Sequence, residues 1–194
     1  MPNNVDTNVE FKAINADALT ELVELFANPP KYDSGQDHID YAMMKVLGIT
    51  DEDQFDSDDE TGSKWVYIED HSFESGYTFL RLVSAWDAPL KGIRAIFSHL
   101  AQFDKNLILS LHYDDGGYDF GWMVLSFAND KLVVNAESLE REDIAAMIAE
   151  EDSEFAKMDE DDEAYSEYID DNFYEYFNDY VDTKIRETIE AIKQ

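Results

Sequence analysis

Apolar side chains in the first part of the chain recur with two different periods, which separate a predicted strand from a predicted helix. Residues 5–13 alternate polar and apolar positions, which predicts a strand. Residues 15–27 carry apolar side chains three or four positions apart, which predicts a helix with Asn15 as its N-cap. The strand face expected to be buried consists of Val5, Thr7, Val9 and Phe11.

The same two patterns organise the rest of the chain. β-Branched and aromatic runs predict five further strands, at 64–69, 76–85, 106–113, 119–128 and 131–135. The last two strands are expected to be joined by a two-residue turn at Asn129 and Asp130. Helical spacing predicts helices at 37–47, at 90–103 and from Ser138 to Lys193, with a break around 158–162. Residues 51–63 show neither period and are expected to form a loop.

The predicted order of elements is β-α-α-β-β-α-β-β-β-α-α. Consecutive hairpin strands with helices grouped between them indicate an α+β fold, in which helices pack on an antiparallel sheet. A chain of 194 residues is long enough for one domain with an appended element. We divide it into an α+β domain, residues 1–137, and an acidic, aromatic helical extension, residues 138–194, packed on or beside that domain.

The negative charge of the chain is concentrated in two segments. The formal net charge is −31, of which residues 150–182 carry −14 and residues 51–63 carry −7. The 72 residues from 64 to 135 carry only −3, whereas a halophilic protein would be acidic over its whole surface. Such a concentration of charge indicates a partner of opposite charge.

Composition excludes several classes of protein. With 44% hydrophobic and 13% aromatic residues, the chain can form a core and is not a disordered acidic tail. The absence of cysteine excludes disulfides and thiolate chemistry and fits the reducing cytoplasm, and neither a signal peptide nor a membrane-spanning run is present. The charge opposes direct binding to nucleic acid or to a membrane surface. We therefore expect a cytoplasmic protein, in the host cell if a phage encodes it.

Four short motifs resemble a known family in their residues and their order. They are the start MPN, GSKW at 62–65, AWDAP at 85–89, and YDDGGYDFGW at 113–122 followed by NDKLV. Together they resemble the YubB-type ferredoxin-like domain of plasmid and phage proteins, over most of residues 1–135. The chain departs from that family at Asn4, where Trp is usual, and at Leu90, where a second Pro is usual.

The resemblance implies a ferredoxin-like fold and an origin in a mobile element. The family has no established catalytic residues, so it implies none here. We expect the matching positions to have structural roles in turns, strand packing and a helix start; they are Gly62, Lys64, Trp65, Trp86, Pro89, Gly117, Phe120 and Gly121.

Recurrent catalytic and metal-binding motifs are missing from the sequence. The four histidines fall in different predicted elements, and no nucleophile elbow, P-loop or dinucleotide-binding motif occurs. The carboxylates of residues 51–60 are ligands of the kind that Ca²⁺ or Mg²⁺ prefers, but the glycine that an EF-hand loop requires is absent. We therefore predict no enzymatic activity, no cofactor and no dedicated metal site.

The C-terminal extension combines an aromatic face with an acidic face. On a helical projection the apolar face consists of Tyr165, Ile169, Asn172, Phe173, Tyr176, Phe177 and Tyr180. The opposite face is acidic and lacks lysine partners, although like charges four residues apart destabilise a helix by a few tenths of a kcal/mol. As one helix, residues 150–182 would span about 50 Å with one net charge per about 3.5 Å, close to the roughly 3.4 Å per phosphate of one DNA strand.

These observations lead to the hypothesis of a non-enzymatic nucleic-acid mimic from a phage or plasmid. Its expected partner is a basic nucleic-acid-binding protein of a host defence system, such as a restriction enzyme or a CRISPR effector. The residues expected to contact this partner in the extension are Asp159, Glu160, Asp161, Asp162, Glu163, Glu167, Asp170, Asp171, Glu175, Asp179 and Asp182, with Tyr168 and Tyr174 as aromatic contacts. A second surface is expected at Asp53, Asp56, Asp58, Asp59 and Glu60.

Two alternative functions remain compatible with the sequence. The first is a structural accessory protein in which the aromatic helix forms a homodimer and the acidity serves only solubility. The second is an acidic chaperone for basic proteins.

Overall fold

A computed structural model describes residues 3–27, 37–115, 120–159 and 163–194. Three expected contact residues, Glu160, Asp161 and Asp162, lie outside the described residues, as does Gly117 of the predicted turn after residue 113. The strands are β1 Asn4–Phe11, β2 Asp37–His38, β3 Lys64–Glu74, β4 Tyr77–Ala85, β5 Leu109–Asp114, β6 Phe120–Ala128 and β7 Lys131–Leu139. The helices are α1 Ala16–Phe26, α2 Asp40–Leu47, α3 Ser57–Thr61, α4 Leu90–Leu100, α5 Arg141–Glu151 and α6 Glu163–Ile192.

The described strands form one sheet in the order β2-β3-β4-β1-β5-β6-β7. Every neighbouring pair is antiparallel. Asn129 and Asp130, which join β6 to β7, both have positive φ, of 52° and 58°, as the two central residues of a type I′ hairpin turn require. The predicted α+β class, with helices on an antiparallel sheet, is confirmed.

Three segments take a secondary structure other than the predicted one; in addition, β3 runs on to Glu74, α4 ends at Leu100 and β5 begins at Leu109. The segment 37–47 begins with the short strand β2, and only Asp40–Leu47 is helical. The expected loop 51–63 contains a 3₁₀ turn, Glu52–Gln54, and helix α3, whose first turn is capped where the Asp56 carboxylate accepts a hydrogen bond from the Asp59 N–H at 3.3 Å.

The third segment lies at the end of the sheet. Strand β7 continues to Leu139, beyond the expected helix start near Ser138. Helix α5 begins at Arg141, where the Asp143 carboxylate accepts a hydrogen bond from the Glu140 N–H at 2.8 Å and the Asp143 N–H donates to the Glu140 carbonyl at 3.0 Å.

One face of the sheet is covered by α1, α2 and α4. The predicted face of β1 is buried as expected, with Val5, Thr7 and Val9 all less than 2% exposed. Helix α4 adds Ile93, Ile96, Phe97 and Leu100 to the same core. This layer contains most of the apolar side chains that the sequence pattern assigned to a core.

The opposite face of the sheet carries α5 and α6. Strand β6 supplies Phe120, Trp122 and Val124 to this second core, and α6 supplies Ile169, Phe173, Phe177 and Val181. The helices cover the β5-β6-β7 part of this face, whereas β1 and β4 keep exposed side chains on it, among them Asp6, Tyr77 and Arg81. The helical extension therefore forms a layer of the sandwich.

The acidic segment 150–182 does not form one continuous helix. Helix α5 ends at Glu151, a 3₁₀ turn follows at Phe155–Lys157, and α6 begins at Glu163. Helix α6, with 30 residues, is about 45 Å long at a rise of 1.5 Å per residue. The charge spacing calculated for a single rod of residues 150–182 is therefore wrong. The helical pattern is interrupted as expected, but the interruption begins just after Glu151 and not near residue 158.

Candidate partner-binding surface

The orientation of α6 is fixed by aromatic packing against β6. The Phe120 ring on β6 meets the ring of Phe173 edge-on at a centroid distance of 4.8 Å, and that of Phe177 at 5.4 Å. Phe173 and Phe177 in turn stack on each other at 5.6 Å. Edge-to-face contacts of this kind favour one relative orientation of the rings, so the opposite side of α6 is held toward solvent.

Five acids on α6 follow each other at intervals of four residues. We call them the α6 acidic row; they are Glu163, Glu167, Asp171, Glu175 and Asp179. All five are exposed. Residues four apart are neighbours on a helix surface, so the row forms a stripe of carboxylates about 24 Å long.

The two other expected acids of α6 lie beside basic groups. Asp170 forms an ion pair with Arg141 of α5, with 2.6 Å between the Arg141 Nη1 atom and the Asp170 Oδ1 atom. Asp182 is exposed and faces β1 and β5, where its charge acts against the burial that lowers the pKa values of Lys12 and His112. The charge of Asp170 is thus partly compensated within the chain.

The two tyrosines expected to contact a partner have different surroundings. The Tyr168 hydroxyl donates a hydrogen bond of 2.6 Å to Asp152, and its ring stacks on Phe155 at 5.2 Å. The hydrogen bond from Tyr168 is the main cause that lowers the pKa of Asp152. Tyr168 therefore serves to close α6 onto the preceding turn, whereas Tyr174 is 55% exposed and remains accessible.

Three strand acids that the sequence did not single out lie close to one another on the uncovered part of the sheet. Burial raises the pKa of Asp6 on β1, and the charges of Glu69 on β3 and Asp114 on β5 raise it further. Asp114 also raises the pKa of Tyr174, next to the α6 acidic row, after the larger effect of burial. Carboxylates therefore continue from α6 onto the sheet, where Arg81 of β4 pairs with Glu69 at 3.7 Å and partly offsets their charge. The alternation in β1 places Asp6 on this face, but only the strand register brings it near Glu69 and Asp114.

The second expected surface lies on the other side of the sheet. Helix α3 packs on α4, and a Cβ at Gly92 of α4 would lie 3.3 Å from the Cα of Thr61. Two of its acids are paired: Asp58 with Lys64 at 3.1 Å and Glu60 with Lys91 at 3.6 Å. Asp53, Asp56 and Asp59 are exposed. The structure thus places the two sets of expected contact residues in separate layers. Asp159 is exposed in the segment before α6.

The histidines take part in separate local contacts. The Nε2 atom of His99 lies 2.7 Å from Glu21, and that of His112 lies 3.1 Å from Asn8. Burial lowers the pKa of His112. Within residues 3–27, 37–115, 120–159 and 163–194, no group of three or more His, Asp and Glu side chains could hold a metal ion.

Helix α6 is also tied to the sheet by a polar contact at Glu137. Oε2 of Glu137 on β7 accepts hydrogen bonds from the Tyr180 hydroxyl at 2.8 Å and from the Trp122 indole at 3.1 Å. Burial, followed by the hydrogen bond to Glu137, raises the pKa of Tyr180 to about 12. The contact therefore holds Tyr180 in its neutral form above the pH at which a free tyrosine ionises.

We expect the Tyr180→Phe variant to lose one late-titrating tyrosine. Because the folded pKa lies above the value of about 10 for an unfolded tyrosine, the stabilisation linked to this group is complete below pH 10 and is lost as the pH rises toward 12. Ultraviolet absorbance of tyrosinate during an alkaline titration measures the ionisation, and urea unfolding at several pH values measures the stability. Tyr77→Phe, at an exposed position, is the control; an unchanged upper end of the titration in Tyr180→Phe would contradict the assignment.

Comparisons with protein-family models, curated proteins and solved structures find no match to this chain. Among the residues that the structure describes, no helix is both long enough and apolar enough to cross a membrane.

Proposed function

We propose that this chain is a non-enzymatic nucleic-acid mimic, carried by a phage or plasmid, which occupies the DNA- or RNA-binding groove of a host defence protein. Restriction enzymes and CRISPR effectors are the target classes with such grooves. The observation that carries the proposal is the α6 acidic row, because five exposed carboxylates in a line have no role in the packing of α6 against β6.

The charge spacing on α6 supports the proposal. Between Glu163 and Asp182 the helix has seven acids and no base, over about 29 Å. This is one carboxylate per about 4 Å, compared with one phosphate per about 3.4 Å along one strand of duplex DNA. A basic groove built to neutralise phosphates would meet a similar density of charge.

The rigidity of α6 also supports the proposal of a nucleic-acid mimic. A free helix with this row would be destabilised by repulsion between neighbouring carboxylates. Packing of Phe173 and Phe177 on the sheet opposes that repulsion, so the row is held in one arrangement before any partner binds. A preformed row avoids the ordering entropy that a disordered acidic tail would lose on binding.

We also propose that the first domain has the ferredoxin-like arrangement, as the resemblance to the YubB-type family implies. Strands β3, β4, β1 and β5 are neighbours in that order, and α1 and α4 pack on the same face. This arrangement fits a β-α-β-β-α-β unit whose two halves each cross over the sheet. The mobile-element origin remains a proposal based on that resemblance.

The packing of α6 weakens the alternative of a homodimer formed through the aromatic helix. The apolar residues that such a dimer would use, Ile169, Phe173, Phe177 and Val181, are each less than 5% exposed in the single chain. A chaperone for basic proteins would use the acids without regard to the shape of the partner, and the experiment below separates it from a mimic.

The test is displacement of nucleic acid from purified proteins. Restriction endonucleases and CRISPR effectors, each bound to a fluorescent DNA or RNA, are titrated with the full chain at low and at physiological salt. We expect release of the nucleic acid from one class of protein at submicromolar concentrations, with an affinity that falls as salt rises because the contact is electrostatic.

The two alternatives give different results in the same assay. Equal binding to every basic protein, including basic proteins without a nucleic-acid groove, would favour the chaperone. Failure to displace nucleic acid from any of them, together with a dimer whose mass does not change on dilution, would favour the structural protein. Either result would overturn the mimic.

A further inference from the structure

Two tryptophans lie side by side on the surface, outside both cores. Trp65 at the start of β3 is 58% exposed, and Trp86 just after β4 is 48% exposed. Their ring centroids are 5.6 Å apart, with 37° between the ring planes. The third tryptophan of the chain, Trp122, is buried at 7% exposure. The sequence analysis expected structural roles for Trp65 and Trp86 as members of the matching positions, and their exposure shows that neither ring belongs to a core.

The backbone holds both rings in place at a local irregularity of the sheet. Trp65 and Trp86 have φ angles of 51° and 70°, a region that bulky residues rarely adopt. The pairing of β3 with β4 shifts in register between Lys64 and Tyr67. Two hydrogen bonds brace the site: the buried Ser63 hydroxyl donates to the Ala85 carbonyl at 3.0 Å, and the Trp86 N–H donates to the Asn3 carbonyl at 2.9 Å. The rings are therefore presented by a fixed backbone.

A cation and a carboxylate already meet at this pair. The Nζ atom of Lys64 lies 5.7 Å from the centroid of the Trp86 ring and 3.1 Å from the Asp58 carboxylate of α3. The ring face of Trp86 thus accepts a positive charge at a place where a carboxylate can bind the same group. Asp59 of α3 and Asp87, which follows Trp86, are exposed, and Lys91 pairs with Glu60 of α3 at 3.6 Å.

We propose that Trp65 and Trp86 form the anchoring site for an arginine side chain on the basic surface of the partner. The inference rests on the proposed function, since a groove that binds nucleic acid is rich in arginine. A guanidinium group is planar, so it stacks on an indole ring and donates hydrogen bonds to a carboxylate at the same time. In the complex it takes the place of Lys64 between Trp86 and Asp58.

The tryptophan pair supplies binding free energy and specificity, which the exposed charges of the α6 acidic row lack. Exposed charges attract a partner from a distance, but salt screens them and they confer little specificity. Tryptophans in the interior of an interface contribute a large part of the binding free energy. The pair lies beside α3 and the α6 acidic row lies on the other layer, so a partner that contacts both reaches around the end of the sheet where Asn3, just before β1, accepts a hydrogen bond from the Trp86 N–H.

The test compares arginine with lysine. Fluorescent peptides of nine arginines and of nine lysines, which have equal length and charge, are titrated with the full chain at physiological salt and followed by anisotropy. We expect the arginine peptide to bind about fivefold more tightly. In the Trp122→Phe variant, where only Trp65 and Trp86 emit, the arginine peptide should also change the tryptophan emission. Equal affinity for the two peptides would overturn the proposal.

Substitutions of the two tryptophans test whether the preference for arginine arises at Trp65 and Trp86. In Trp65→Ala/Trp86→Ala we expect the preference for arginine to fall to about onefold, whereas Trp65→Phe/Trp86→Phe should keep most of it. Tyr77→Ala, which removes a 63% exposed aromatic residue elsewhere, should leave it unchanged. Urea unfolding of each variant confirms that the fold is intact. A preference for arginine that persists in the double alanine variant would overturn the assignment.

These results are separable from those of the displacement assay. If the chain displaces nucleic acid but shows no preference for arginine, the mimic stands and the arginine site is wrong. If the chain binds the arginine peptide through Trp65 and Trp86 but displaces no nucleic acid, the site stands as an arginine-binding surface and the mimic is wrong.

Discussion

Replacing Glu167, Asp171, Glu175 and Asp179 with their amides should stabilise the fold and at the same time strongly weaken displacement of nucleic acid. The change removes all four like-charge pairs of the α6 acidic row, each of which destabilises a helix by about 0.2–0.5 kcal/mol. We therefore expect the free energy of unfolding to rise by about 1 kcal/mol. Glu163 is kept, because a carboxylate in the first turn stabilises a helix through its dipole.

The same variant should bind its target at least about thirtyfold more weakly. Each exposed ion pair contributes up to about 1 kcal/mol, so four lost pairs correspond to about 2 kcal/mol or more. The displacement assay measures the affinity, and urea unfolding measures the stability. Opposite signs in the two measurements would show that the row is maintained for binding at the expense of stability.

The matched control removes the same charge from other exposed positions. It carries amides at Glu24, Asp70, Glu74 and Glu190. We expect it to keep its affinity within about threefold and its stability within about 0.5 kcal/mol. If both variants lose affinity equally, total charge and not the row is responsible, and the proposed geometry is wrong.

The Gly121→Ala substitution should prevent stable folding or destabilise the protein by about 3 kcal/mol or more. Gly121 lies in β6, between β5 and β7. A Cβ at this position would overlap the backbone carbonyl oxygen of Glu137 and would lie 2.8 Å from the Tyr113 hydroxyl oxygen. The backbone oxygen belongs to a neighbouring strand, so the clash cannot be relieved without separating β6 from β7.

Gly76→Ala is the control for this prediction. Gly76 has a φ of 90°, and a Cβ there meets no atom within 4 Å. We expect that variant to be destabilised by only about 1–2 kcal/mol, from the left-handed backbone alone. Thermal and urea unfolding of both variants compare the two effects. A Gly121→Ala protein as stable as Gly76→Ala would show that β7 can move away from β6.

Elements with a strong hydrophobic period could be predicted from the sequence. The alternation from Val5 to Phe11 identified both β1 and its buried face, and the helical spacing after Pro89 identified α4. Helix α3 was missed because its five residues, SDDET, contain no apolar side chain from which a period can be read. Its formation depends on the Asp56 cap and on packing against α4.

The position of α6 could not be read from its own sequence. The stripe that includes Phe173 and Phe177 predicts an apolar surface, but it does not say whether a sheet or a second copy covers that surface. A signal does exist in β6, where the run FGWMVLSF is apolar on both faces, as in strands that are buried on both sides. That pattern indicates a second helical layer, and the C-terminal helices are the elements left to form it.

The acidic surface on the sheet could not be predicted from the sequence either, because it depends on the register and order of the strands. The period of two places Asp6 on the face opposite Val5 and Val9, but its approach to Glu69 and Asp114 follows from which strands are neighbours. The exposure of Trp65 and Trp86 was likewise beyond prediction, because their positive φ angles arise where the pairing of β3 and β4 slips. The hydrophobic pattern within a segment predicts which face of a strand or helix is buried. Contacts between elements that are distant in the sequence depend instead on the order of the strands in the sheet.

The core between the sheet and α6 can be completed only after the C-terminal helix has been synthesised. A ribosome releases the whole sheet before it releases α6, so Phe120, Trp122 and Val124 of β6 remain without their helical cover until the last helix emerges. During that interval the nascent chain exposes an aromatic strip beside the edge strand β7, a combination that favours association between chains. The many acids of the emerging α6 would oppose such association by mutual repulsion. Helix α6, which bears the acidic row, is thus also the element whose packing on β6 ends the stage of synthesis at which nascent chains can associate.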